Sequence, residues 1–304
     1  MNGSRVLLAL AFATVLSLGL VPAAAPAGGQ MIAFESNRDG SYQVYVMNDS
    51  GTAQTQLTFA SRNQRQNFDP AWAPNGSQLV FESDRDAKTS SDIYTMGARG
   101  TPPYKRLTAN RVPDLDPSWS PDGATIAFQS KQRGNYDIYR MRATDGALLK
   151  QLTTGAAEDA HPAWSPDGRW IAFDTNRDGN FEIYVIDAVT GKIVRNLTRN
   201  PGQDRSPAWS PNGKQISFTS DRDGNAEIYV MPVNGGKPQR LTRNPTGDYD
   251  PTWAPDGQSI AFVSERDGNS EIYTMNAKDG SNQKRLTNNP AVDLAPNYWQ
   301  QLRR

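Results

Sequence analysis

Short apolar segments recur along the chain, and each is bounded by turn-forming residues. One has the form Ile-Tyr-x-Met, as in Ile228-Tyr229-Val230-Met231, so that neighbouring apolar residues occupy both faces of an extended strand. Two others have the forms Ile-x-Phe and Pro-x-Trp. Because an exposed sheet would alternate polar with apolar residues, we expect each of these strands to be covered on both sides.

The segments repeat with a period of about 45 residues. The proline of Pro-x-Trp recurs six times with spacings of 47, 45, 45, 44 and 45, and in the last copy Tyr298 replaces the tryptophan. Three further residue types keep the same phase: Phe34, Phe81, Phe128, Phe173, Phe218 and Phe262; Tyr45, Tyr94, Tyr139, Tyr184, Tyr229 and Tyr273; Leu57, Leu107, Leu152, Leu197, Leu241 and Leu286. A repeat of this length with several short strands is typical of a β-propeller blade.

Turn signals divide each period into four strands. Pro166-Asp167-Gly168 and its equivalents follow Pro-x-Trp, where proline presets φ and glycine accepts a positive φ. Asp221-Arg222-Asp223-Gly224-Asn225 and its equivalents precede Ile-Tyr-x-Met. This second segment faintly resembles a calcium loop but lacks the bidentate glutamate at position twelve, so we interpret it as a hairpin turn.

The phase of the two ends predicts how the ring closes. The repeat begins at strand two, with Ile32 and Phe34, and ends at strand one, with Tyr298. The sequence therefore predicts an all-β, six-bladed β-propeller of four-stranded antiparallel blades. We expect the C-terminal strand to pair with the three N-terminal strands and complete one shared blade.

The N-terminal residues predict export. Arg5, the apolar run from Val6 to Val21 and the small residues Ala25-Pro26-Ala27 indicate a signal peptide over residues 1–27, followed by the propeller over residues 28–304. The apolar run is short for a membrane span, although a retained N-terminal anchor is the alternative. We expect a monomer in the periplasm or outside the cell, without membrane insertion of the mature chain.

Composition narrows the classes of function. The 32 basic and 32 acidic residues balance, which gives no general attraction to nucleic acid. The chain has no cysteine, so disulfides do not stabilise it even in an oxidising compartment. His161 is the one histidine, which argues against sites that need several histidine ligands.

The repeat resembles the WD-like propeller repeat of the TolB family. The phrase Trp-Ser-Pro-Asp-Gly, Ile-Ala-Phe, Arg-Asp-Gly-Asn and Glu-Ile-Tyr-Val is nearly complete from Trp164 to Val185, and closely similar from Trp209 to Val230. The resemblance implies a propeller and a protein partner, an envelope protein among the candidates, docking at the mouth of the channel. TolB proteins carry an α/β domain before the propeller, whereas this repeat starts within a few residues of the expected cleavage site. The Tol-Pal role is therefore not carried over.

Two sets of polar residues precede the Pro-x-Trp strand, and we call them the −3 set and the −1 set after their distance from the proline. Strand one is innermost in a propeller, so equivalent positions must form rings around the axis. The predicted ligand site is an acidic channel mouth made of Asn67, Asp114, Asp159, Asp204, Asp248 and Asp293 from the −3 set, and of Asp69, Asp116, His161 and Asp250 from the −1 set. Ser206 and Ala295 complete the −1 set. A purely structural use, in which the aspartates cap turns through their own backbone, is the alternative.

Crowded carboxylates need a cationic group to neutralise them. Hard oxygen ligands suit Ca²⁺ or Mg²⁺, of which Ca²⁺ is the candidate cofactor, and a lysine or arginine of a partner protein is the other option. The sequence therefore predicts a non-enzymatic, exported binding scaffold with no catalytic residue. The alternative is a glycan hydrolase or lyase that uses channel carboxylates. A propeller-gated peptidase would need a hydrolase domain, and the chain contains no Gly-x-Ser-x-Gly elbow.

Overall fold

The computed structural model describes residues 30–59, 65–86, 90–100 and 102–299. The predicted signal peptide lies outside these residues and stays a prediction. Within the described ranges the chain forms 24 β-strands, and none of these residues belongs to a helix that could span a membrane.

The strands form six antiparallel sheets of four. Blade 1 begins with β1 (Met31–Ser36), β2 (Gln43–Asn48) and β3 (Thr55–Gln56). Blade 2 contains β4 (Asn67–Trp72), β5 (Gln78–Ser83), β6 (Asp92–Gly97) and β7 (Lys105–Arg106), and blade 3 contains β8 (Asp114–Trp119), β9 (Thr125–Ser130), β10 (Asp137–Arg142) and β11 (Lys150–Gln151). Blade 4 contains β12 (Asp159–Trp164), β13 (Trp170–Thr175), β14 (Glu182–Asp187) and β15 (Ile193–Asn196). Blade 5 contains β16 (Asp204–Trp209), β17 (Gln215–Ser220), β18 (Glu227–Pro232) and β19 (Gln239–Arg240), and blade 6 contains β20 (Asp248–Trp253), β21 (Ser259–Ser264), β22 (Glu271–Asn276) and β23 (Lys284–Arg285).

The last strand, β24 (Asp293–Tyr298), returns to blade 1 and pairs with β1, so that Ile32 lies opposite Tyr298. The innermost strands β4, β8, β12, β16, β20 and β24 contact one another in cyclic order. The predicted six-bladed propeller and its closure by the C-terminal strand are therefore confirmed.

The core lies between adjacent blades. Trp119 and Phe128 of blade 3 pack against Ala71, Val80 and Ile93 of blade 2, and equivalent clusters fill the other interfaces. The strand-two phenylalanine is fully buried in all six blades. Because each such side chain contributes roughly 1.5–3 kcal/mol by leaving water, burial on both faces stabilises the ring without disulfides.

In five of the six blades an Arg-Asp pair in the second turn ties the strands together. In blade 4 the guanidinium of Arg177 lies 5.0 Å from the ring centre of Tyr184 and donates a 2.9 Å hydrogen bond to Asp159. The following Asp178 accepts a hydrogen bond from the Tyr184 hydroxyl. The tyrosine–aspartate bond recurs in five blades, at Tyr45–Asp39, Tyr94–Asp86, Tyr184–Asp178, Tyr229–Asp223 and Tyr273–Asp267. These contacts explain why the turn keeps its arginine and second aspartate.

The outer strands also join neighbouring blades. The residue two positions before the recurring leucine donates a side-chain hydrogen bond to a carbonyl in the next blade's turn, as Lys150 does to Val189 at 2.6 Å. The other examples are Lys105 to Thr144, Arg195 to Val233, Gln239 to Lys278 and Lys284 to Ser50. The long polar side chains at this position, four of them basic, therefore bridge blades.

Candidate functional site

A β-bulge in each innermost strand places the −1 set at the channel. The residue before each proline has a positive φ, from 45° at Asp69 to 52° at Ser206, and strand pairing shifts register there. A non-glycine residue costs of order 1 kcal/mol in this conformation. The following proline has no N–H to lose from the ladder, which makes the bulge compatible with its sequence.

The bulge turns one backbone N–H toward a side chain of the preceding blade. Asp69 N donates to Glu35 at 2.9 Å, and Asp116 N donates to Glu82 at 2.6 Å. The remaining bonds of this kind run from His161 N to Gln129, from Ser206 N to Asp174 and from Asp250 N to Thr219. A second ring of polar side chains, contributed by strand two, therefore supports the −1 set.

Sequence reasoning missed this second ring. Its members are buried and directly follow the strand-two phenylalanine in five of the six blades: Glu35, Glu82, Gln129, Asp174 and Thr219. A polar residue recurring at one phase of an otherwise apolar buried strand was the signal that could have found them.

Three carboxylates meet where blades 2 and 3 adjoin. One oxygen each from Asp69, Glu82 and Asp116 lies within 4.8 Å of the others. Burial and then repulsion from Asp116 raise the pKa of Asp69 to about 7. Burial and then repulsion from Asp69 raise the pKa of Glu82 well above its usual range. The cluster therefore favours a proton or an incoming cation.

His161 is the basic residue of the −1 set and lies beside two of the channel acids. Its Nδ1 lies 2.7 Å from Asp174 Oδ1, and its Nε2 lies 4.0 Å from Asp116 Oδ1. Burial opposes the charged imidazolium, but the attraction of Asp174 and Asp116 outweighs it and raises the His161 pKa well above its usual range. Because a raised pKa favours the protonated imidazolium, His161 is poorly suited to act as a general base.

The −1 set is connected around the channel. Ser206 Oγ donates a 2.8 Å hydrogen bond to Asp250 Oδ1. Asp250 also repels Asp69 and Asp116, which lie on other blades. The structure thus brings together Asp69, Asp116, His161 and Asp250.

The −3 set lies inside the blades, where its side chains are at most 1% exposed. Four of its carboxylates accept hydrogen bonds from turn arginines: Asp159 from Arg177, Asp204 from Arg222, Asp248 from Arg266 and Asp293 from Arg38. Asn67 accepts a bond from Arg85, and Asp114 accepts one from Asn110. These contacts support the structural interpretation for Asn67, Asp114, Asp159, Asp204, Asp248 and Asp293.

The opposite end of the channel is aromatic. Trp72, Trp119, Trp164, Trp209, Trp253 and Tyr298 line a cavity of about 140 Å³ there. The indole N–H groups of Trp119, Trp209 and Trp253 donate to carbonyls of the preceding blade. The channel therefore has one acidic and one aromatic end.

Solved structures share this architecture. TolB from Acinetobacter baumannii is 21% identical with a TM-score of 0.76, and the match covers 89% of this chain and 67% of that one. A candidate TolB from Agrobacterium tumefaciens is 25% identical with a TM-score of 0.66, covering 88% and 90%. An oligogalacturonate lyase in complex with manganese is 14% identical with a TM-score of 0.56, covering 86% and 74%.

No curated protein matches the chain in sequence. The family described as the TolB beta propeller domain matches residues 60–161 and 150–252, which together span more than half of the 304 residues. The repeat, the closed ring of six blades and this match agree, and the chain belongs to the TolB beta propeller domain family.

Proposed function

We propose that this protein is an exported, non-enzymatic binding scaffold whose acidic channel end receives a cationic group of a protein partner. The TolB-like propeller supports a binding role in general. The cationic group, in this proposal, is a lysine or arginine side chain that inserts among the −1 set.

One observation carries the proposal. Asp69, Glu82 and Asp116 hold oxygens within 4.8 Å of one another, although their charges repel. Asp250 adds to this repulsion, and His161 offsets only part of it. An incoming ammonium or guanidinium would let these acids ionise together, so that binding would relieve the repulsion.

The enzymatic alternative uses the same acids. A lyase with this fold exists in complex with manganese, and paired carboxylates can hydrolyse glycosides. In this channel the oxygens of Glu35 and Glu82 already accept backbone N–H groups, and Asp174 is bonded to His161. These bonds favour a role in fixing the ring over one in proton transfer.

The experiment compares the wild type with Asp69→Asn/Asp116→Asn and with Asp49→Asn/Glu265→Gln, which removes two exposed acids elsewhere. Each immobilised chain is incubated with an envelope extract, and bound proteins are measured by quantitative mass spectrometry. We expect a protein that the wild type and the control retain and that the channel variant loses at least tenfold. Equal retention by all three chains would overturn the proposal.

Two further measurements separate the alternatives. Calorimetric titration with CaCl₂ tests whether the cation is Ca²⁺ instead of a side chain. A glycan panel tests for turnover, and activity that Asp69→Asn/Asp116→Asn abolishes would establish the hydrolase or lyase alternative.

A further inference from the structure

Exposed apolar residues are concentrated on the outer edge of two adjacent blades. Among the described residues, six large apolar side chains are exposed, and five of them lie on blades 3 and 4: Leu148 (75%), Leu149 (47%), Val189 (59%), Ile193 (43%) and Val194 (42%). The bond from Lys150 to the Val189 carbonyl joins the two blades there. We call these five residues the apolar edge.

Leu148 is both exposed and strained. Its φ is +56°, and the equivalent residues of blades 1 and 6 are Ala53 at +55° and Asn282 at +54°. Asparagine tolerates this left-handed conformation well, whereas a large apolar residue is a rare occupant. Neither burial nor backbone preference within the chain accounts for leucine at this position, which points to a contact outside the chain.

The apolar edge includes a strand with a free side. β15 runs for four residues, whereas the other outer strands of the described chain run for two. It pairs with β14 alone and forms the edge of its sheet. An extended peptide can add to such an edge through backbone hydrogen bonds, with alternate side chains giving specificity.

The surroundings of the apolar edge are basic. Lys150, Lys192 and Arg195 are exposed beside it. The nearby acids are engaged: Asp145 pairs with Arg142, and Asp187 accepts hydrogen bonds from its own turn. A partner with acidic residues would complement this charge.

A basic groove lies on the neighbouring blade 5. It has a volume of about 680 Å³, and Arg222, Lys237, Arg240 and Arg243 line it together with Asp223. Arg222 and Arg240 pair with Asp204 and Glu227. Within the described chain, Lys237 and Arg243 form no ion pair with a carboxylate. Arg195 bonds the Val233 carbonyl of blade 5, so the apolar edge contacts the blade that carries the groove.

We propose that the edge of blades 3 to 5 docks an extended segment of a partner protein in which apolar residues are followed by acidic ones. The apolar residues cover Leu148, Ile193 and their neighbours while the segment pairs with β15, and the acids face Lys237 and Arg243. A two-fold contact with a second copy of this chain is unfavourable, because it would bring Lys150 and Arg195 of one copy toward the same residues of the other. This site lies apart from the channel, so each can fail without the other.

The test uses displayed random peptides of about twelve residues, selected on the immobilised wild-type chain. Fluorescence anisotropy then measures the selected peptides against Leu148→Asn/Ile193→Asn, Lys237→Glu/Arg243→Glu and the control Lys278→Glu, an exposed lysine on blade 6. Asparagine is the residue that blade 6 uses at this position, so the first variant keeps the fold. We expect the selected peptides to contain apolar residues followed by acidic ones. They should bind at least tenfold more weakly to both edge variants and equally well to the control. The melting temperature of Leu148→Asn/Ile193→Asn should be no lower than that of the wild type.

Other outcomes overturn the proposal. Selection of peptides without this pattern, or equal binding by all variants, would show that the edge is not a docking site. Binding to anionic phospholipid vesicles that both edge variants lose would assign the surface to a membrane. A dimer in sedimentation experiments that Leu148→Asn/Ile193→Asn dissolves would assign it to a second copy of the chain.

Discussion

The carboxylate of Asp204 accepts a 2.7 Å hydrogen bond from the guanidinium of Arg222, and the aspartate is fully buried. The same guanidinium lies 4.9 Å from the ring centre of Tyr229. The pair therefore links the innermost strand of blade 5 to its second turn and to its third strand. Its position inside the blade separates the −3 set from the channel.

Replacing Asp204 tests that separation. We expect Asp204→Asn to lower the free energy of unfolding by about 1–3 kcal/mol, because the charged hydrogen bond to Arg222 is lost. Urea denaturation followed by tryptophan fluorescence measures the change. Asp69→Asn is the matched comparison and should cost less, since burial and repulsion already disfavour the Asp69 charge. Equal costs would contradict the different roles of the two sets.

Blade 3 lacks the arginine and the aspartate that the other blades carry in the second turn, and substitution can restore both residues. Gln132 and Arg133 replace the arginine and aspartate of the second turn, and within the described chain the Tyr139 hydroxyl and Asp114 Oδ1 have no hydrogen-bond partner. Gln132→Arg/Arg133→Asp should supply both partners and stabilise the protein by roughly 1–2 kcal/mol. The midpoint of urea unfolding should rise. The same exchange at an exposed turn serves as the control, and a lower midpoint would contradict the explanation.

The raised pKa values of Asp69 and His161 predict that the free energy of unfolding decreases as pH rises. Asp69 has a pKa of about 7 in the folded chain, against about 3.9 when unfolded, so its ionisation destabilises the fold progressively between these values. His161 has a raised pKa, so its stabilising charge is present below about 6.5 and is lost as pH passes the folded value. Both groups therefore lower the free energy of unfolding as pH rises.

Melting curves between about pH 5 and pH 8 at low salt measure this dependence. We expect the melting temperature to fall across the range, and Asp69→Asn/Glu82→Gln to flatten the curve. A rising wild-type curve, or an unchanged slope in the variant, would show that the carboxylate cluster does not control it.

Ring closure makes the last strand essential. Removal of Ala291 to Arg304 deletes β24 and leaves the edge of β1 unpaired. We expect the truncated chain to unfold or aggregate, as gel filtration and circular dichroism would show. A soluble truncated chain that melts at the wild-type temperature would refute this expectation.

The blades could be predicted from the sequence because each strand is marked by a short motif of its own residues. Ring closure could be predicted because the repeat begins at strand two and ends at strand one. It could not separate the −3 set from the −1 set. In a regular strand, residues two apart such as Asp204 and Ser206 share a face. The bulge breaks that alternation, so Asp204 turns into the blade while Ser206 lies at the channel. Glu35 and Glu82 were missed because their strands were identified by apolar residues.

The bulge has a consequence for how such a protein can be altered. Its φ lies within a few degrees of +49° whether the residue is Asp250, His161 or Ala295, so the backbone holds that position without regard to the side chain. The six equivalent positions therefore share one backbone conformation that accepts different side chains. Natural selection or protein design can therefore change the specificity of the channel by substituting single residues of the −1 set, while the backbone around them keeps its conformation.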